Sequence, residues 1–270
     1  MFERTLVRVL TLTTVGVWVS AEAAAMPFAP RQTNWQRVES RHFEIHYLPA
    51  QARELERATR SAERAYDLIT RRLNFTFGTK VPVVMFTPSG PLTQAQVVSF
   101  AISDDVAPQE PHRSRLVLPL RDTDAQLDAL VVHELTHLLV AEIILPHAPG
   151  DGGVPRWVHE GIAHYVAGGW SGDDERLMRD LVAGGNLPAL SQLTGDGGFA
   201  NPRLNDVLGH AVFDYIESRW GATGLRRFID GLIVPRINQT YNVVFELTPA
   251  EFDAAFRQYA ERRFRRAGQP

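Results

Sequence analysis

No cysteine occurs anywhere in the chain. That absence excludes disulfide cross-links and any lipid attached through a cysteine thiol, so the fold has to be held by its own core. Charge of one sign is lacking too. A formal −3 over 270 residues provides no basic field that would draw in nucleic acid or anionic lipid. The chain has no internal repeat, no low-complexity linker and no apolar run long enough for a stable bilayer anchor. What remains is the composition of a soluble globular protein, 44% apolar and 22% charged, sized for one large domain or two small ones.

The N-terminus has an order of its own. Arg4 and Arg8 precede a moderately apolar stretch from Val9 to Val19, and Ala21-Glu22-Ala23-Ala24-Ala25 then stands ahead of Met26-Pro27. A basic start, a short apolar stretch and an A-x-A site predict a secretory signal peptide over residues 1–25, with an N-terminal anchor or a buried helix as the alternative. The mature chain, 26–270, is then expected to be secreted or periplasmic, with no stable membrane anchor once the signal is removed.

Further on, HFEIHYL (42–48) alternates as a strand does, and residues 51–73 carry an apolar stripe among many charges, as an amphipathic helix does. VPVVMF (81–86) reads as a buried strand and RSRLVLPL (113–120) as another, its Pro119 pointing to a sheet edge. From Asp124 the pattern turns helical. Helices are predicted at 124–145, capped by Asp122 or Asp124, from Pro155 to Gly168-Gly169, and at 173–183, 206–219, 223–232 and 249–265. Strands first and helices afterwards predict an α+β domain, strand-rich over 26–123 and helical over 124–270.

The chemistry centres on VVHELTHLLV. His133 and His137, four residues apart on one helix, lie within about 40° of each other around its axis and can grip one metal ion. Glu134, about 100° round from His133, can reach a water held by that ion without competing as a ligand. This is the H-E-x-x-H arrangement of zinc hydrolases, in which the metal lowers the pKa of its water and the glutamate takes the proton. The surrounding leucines, valines and isoleucines leave the helix no polar face. Burying these groups without a partner would cost several kcal/mol, and a metal supplies the partner.

Two histidines leave a catalytic zinc short of its usual third protein ligand. Glu160, in WVHEGIAHY, faces away from the stripe formed by Val158, Ile162 and Tyr165, which fits a solvent-exposed carboxylate equally well. Gly161 weighs against that plain reading. A glycine inside a helix costs about 1 kcal/mol and marks close approach by another element, for which the HELTH helix is the candidate.

Together, HELTH and WVHEGIAHY resemble the gluzincin zinc metallopeptidases, specifically the peptidase MA-like group, whose second helix carries W-x-x-E-G-x-A-x-Y. Trp157, Glu160, Gly161, Ala163 and Tyr165 match that pattern. The segments WQRVESRHFEIHY, LGHAVFDYIESRWG and LTPAEFDAAFRQYAERRF extend the likeness more weakly over most of the mature chain. The resemblance implies a thermolysin-like zincin catalytic fold, one Zn2+ held by His133, His137 and Glu160, Glu134 as general base, and a peptide or protein substrate lying along RSRLVLPL. One departure stands out. Where the group commonly has a tyrosine shortly before the glycine equivalent to Gly209, this chain has Val207 and Leu208, leaving His210 either as a catalytic transition-state stabiliser or as a plain helix histidine.

His164, four residues after Glu160, shares its face and is a candidate for supporting a ligand or binding substrate. Asp206 is a candidate for orienting a histidine. His159, about 100° from Glu160, cannot share its metal and reads as a rim or structural residue. His42, His46, His112 and His147 have no partner spacing and read as structural or exposed. A non-catalytic zinc-fold binding or scaffold protein of the cell envelope is the rival to the peptidase, and the intact Glu134 weighs against it.

Overall fold

In the computed structural model of the chain the described residues are 35–87, 115–121, 123–144, 154–190, 202–233 and 237–265. The expected signal segment, His112 and His147 lie outside them, as does most of the loop expected between the two motif helices. Four strands form one sheet in the order β1-β2-β3-β4, namely Gln36–Glu39, Phe43–Tyr47, Val81–Phe86 and Leu116–Pro119. β1 pairs antiparallel to β2, with Val38 opposite Ile45. β2, β3 and β4 run parallel, with Ile45 opposite Val83 and Val84 opposite Val117. Every residue of β3 is buried, as its unbroken apolar run predicts, and among the described residues β4 with Pro119 is one of the two edge strands, β1 being the other.

The crossover from β2 to β3 is α1 (Leu55–Leu73). Ala58, Ala62, Ala65, Ile69 and Leu73 make its buried stripe, and the helix stops at Asn74 in the left-handed conformation with φ 51. On its other side α1 holds α2 (Asp124–Ile144). Ser61 Oγ donates to Asp128 Oδ1 at 2.5 Å, and Arg64 binds the same carboxylate at 2.6 Å. The cap of α2 is Thr123, whose Oγ1 accepts from the Gln126 amide at 3.3 Å. Asp124, one of the two caps expected, instead stands in the first turn, where its charge meets the positive end of the helix dipole, and Asp122, the other, lies outside the described residues.

α3 (Arg156–Ala167) lies against α2, and α5 (Pro202–Asp230) lies against α3. Between them in sequence comes α4 (Gly172–Ala183), capped by Ser171 accepting from the Asp174 amide. α5 merges the two helices predicted at 206–219 and 223–232. The break between them survives as a kink at Gly221, whose φ of 66 and ψ of −170 belong to a region open essentially to glycine alone. α6 (Ile237–Phe245) and α7 (Pro249–Phe264) close the helical half, α7 with a Thr248/Glu251 capping box. Trp220, Phe245, Tyr241 and Phe252 stack there with centroids 4.0 to 6.2 Å apart. The observed class is α+β: a small sheet followed by a mostly helical remainder.

Candidate metal centre

α2 is apolar nearly all round, yet His133, Glu134 and His137 are only half-buried, so one stripe of this core helix opens to solvent where its polar residues sit. Four-residue spacing brings the two imidazoles together. Their rings meet edge-on at 4.6 Å, with the Nε2 atoms 3.1 Å apart. On α3, Trp157, Val158, Gly161, Ile162, Ala163 and Tyr165 are buried while Glu160 and His164 stay half-open, which turns Glu160 toward α2. Its Oε2 stands 3.6 Å from His133 Nε2 and 3.7 Å from His137 Nε2.

These three atoms form a group that can hold a metal ion, all lying within 4.8 Å of one another. A triangle with sides of 3.1, 3.6 and 3.7 Å has a circumscribed radius of about 2.0 Å, the bond length of zinc to imidazole nitrogen or carboxylate oxygen. Calcium needs longer contacts and an all-oxygen set. Two imidazoles and one carboxylate suit a first-row transition ion.

The electrostatics follow from the same partial burial. Desolvation, and then the neighbouring His164, lowers the pKa of His133 to about 4. Desolvation joined by His133, His159 and His164 takes His137 down to about 3. Both rings therefore present neutral lone pairs at ordinary pH, the form in which imidazole binds a metal. Glu160 moves the other way, up to about 7, through desolvation first and then the charge of Asp206, with Glu134 adding and Arg156 opposing. Burial also raises Glu134, the direction that suits a group trading protons near neutrality.

The element that Gly161 admits is α5, not the HELTH helix. A Cβ on Gly161 would stand 2.4 Å from Gly209 Cα, and one on Gly209 would meet Trp157 O at 2.3 Å and Gly161 Cα at 2.6 Å. The backbones of α3 and α5 touch there.

No protein-family model matches the chain, and no curated protein matches it. The reading of the site rests on its own geometry and residues.

His210 is not among the rings that meet at the ligand atoms. It stacks on Trp170 at 4.3 Å, meets Tyr165 edge-on at 5.8 Å, and has Nε2 3.8 Å from Asp214 Oδ1, while Trp170 Nε1 donates to Oδ2 of the same carboxylate at 2.6 Å. Those contacts pack this helix histidine against neighbouring aromatic rings. His159 is buried rather than at the rim, its ring 6.5 Å from that of His137. His42, in the bend just before β2, stacks on Tyr66 and pairs with Glu63, and His46, on β2, pairs with Glu44. Sequence reasoning passed over Arg156, whose Nε lies 4.0 Å from Glu160 Oε1. Its position one turn before Glu160 was the available signal.

Proposed function

We propose that this chain is a secreted or periplasmic zinc-dependent metallopeptidase of the gluzincin type, with a thermolysin-like catalytic fold and His133, His137 and Glu160 as the ligands of one Zn2+. The observation that carries the reading is the convergence of three donor atoms from two helices on the radius of a zinc site. The two motifs, HELTH and WVHEGIAHY, supply the donors in the order the resemblance requires.

Zinc bound there would polarise a substrate carbonyl and acidify water. Glu134 takes the proton from the attacking water and passes it to the leaving amine, a task for which its raised pKa suits it. His133 and His137 stay neutral and hold their lone pairs ready. An extended peptide would reach the site along the half-open stripe of α2, with β4, an edge strand among the described residues, as the candidate to hold it. Among the described residues no helix is long and apolar enough to cross a membrane.

A scaffold protein would use the same three ligands without needing Glu134. The test is a peptide-library digest by the wild type and Glu134→Gln, each assayed for bound metal. Zinc near one per chain in both, with cleavage at least about a hundredfold slower in the variant, is the expected result. A variant that binds zinc and cleaves as fast as the wild type would sink the enzyme reading.

A further inference from the structure

The glycine crossing between α3 and α5 sets a second contact. Three residues after Gly161 comes His164, and three before Gly209 comes Asp206. With the two backbones touching at the glycines, these side chains stand together, His164 Nε2 3.5 Å from Asp206 Oδ2. On another side the His164 ring meets His133, edge-on at 87° with centroids 5.1 Å apart. One imidazole is thus wedged between a carboxylate from α5 and a candidate ligand on α2, while 41% of its side chain stays exposed.

The other charged groups nearby make their closest contacts with other partners, though Arg156, Arg203 and Asp174 also act on Asp206 through their charge. Asp174 is bonded to Ser171 and to Arg203 at 2.9 Å, and Arg156 faces Glu160 Oε1. Asp206 is the carboxylate in close contact with His164 Nε2, and Asp174 acts on the same ring through its charge alone. His164 does not join the converging donor set, because its Nε2 is turned to Asp206. A His133 ring free to swing about its side-chain torsions would lose that freedom on binding an ion. A neighbour fixed in advance against its face removes that cost and holds Nε2 on line.

We propose that Asp206 is a positioning residue for the metal centre. It acts through His164, which in turn holds the ring of ligand His133. The inference rests on the reading of His133, His137 and Glu160 as zinc ligands. Its device spans three helices: α5 supplies the carboxylate, α3 the relaying imidazole and α2 the ligand. The Gly161–Gly209 contact is what brings the first two into range.

The experiment compares the full chain with Asp206→Ala, His164→Ala, the double variant and the conservative Asp206→Glu. Zinc affinity is read by chelator competition, geometry by the visible spectrum of the Co2+ form, and the metal-free fold by its melting temperature. Asp206→Ala and His164→Ala should each weaken zinc binding about tenfold and shift the cobalt bands, with the double variant no weaker than either single one. Asp206→Glu should recover most of the affinity, and the metal-free melting temperatures should agree. Wild-type affinity and spectrum in Asp206→Ala would overturn the proposal, as would losses that add in the double variant. A wild type that takes up neither zinc nor cobalt would instead overturn the metal reading on which the proposal stands.

Discussion

At the scale of single residues, the site is a small set of groups whose proton affinities have been moved by burial. In the metal-free fold Glu160 has a pKa of about 7, above the usual carboxylate value, so the folded state favours its neutral form. The stability this contributes is complete below the unfolded carboxylate pKa and is lost as pH rises through 7. His133 and His137 run oppositely. Their folded values of about 4 and about 3 lie below the unfolded imidazole value, so their contribution is present above it and lost as pH falls. Replacing only the carboxylate separates the two effects. In chelator, Glu160→Gln should gain about 2 kcal/mol of stability relative to the wild type between pH 5 and pH 8. Denaturant unfolding at the two pH values checks this, and a difference independent of pH would remove the case for a strained Glu160. The HExxH spacing was legible at this scale because both histidines sit on one helix, where 3.6 residues per turn settles their relation.

At the scale of elements, the decisive contact is between α3 and α5. Gly161→Ala or Gly209→Ala puts a methyl group into opposing backbone, which no side-chain rotation relieves, and should cost about 3 kcal/mol in denaturant unfolding. Either change should also weaken zinc binding, because Glu160 moves with α3. Gly78→Ala, with nothing within 4 Å of its added Cβ, is the control and should be near neutral. An unchanged midpoint in Gly161→Ala would mean that the helices are not in contact as described. Gly161 advertised a close approach in the sequence, but not by what. Its partner Gly209 lies in a helix distant along the chain, and no local pattern encodes which two helices cross. Two elements escaped sequence reading for related reasons. β1 is QRVE, exposed throughout, and exists through its pairing with β2. α6 is INQTYNVVF, rich in residues that favour strands, and is helical through its packing on the aromatic cluster.

At the scale of the whole molecule, a cysteine-free chain has its core, and any metal its site takes up, to hold it. A metal that binds the folded state alone adds stability by mass action. With free zinc about a hundredfold above its Kd, removal by chelator should lower the melting temperature by roughly 5–10 °C, and restored zinc should recover it. Calorimetry reads this directly, and an equal melting temperature with and without chelator would argue against a bound ion. The class, strands then helices, and the pairing of His133 with His137 and Glu134 can be read from the chain alone, because apolar periodicity and helical spacing are local properties. Only the tertiary structure decided that Glu160 joins them, that His164 is wedged between His133 and Asp206, and that His210 packs against Trp170. Each of those depends on how far one helix slides and turns against another. That is set by which surfaces fit when the whole core closes.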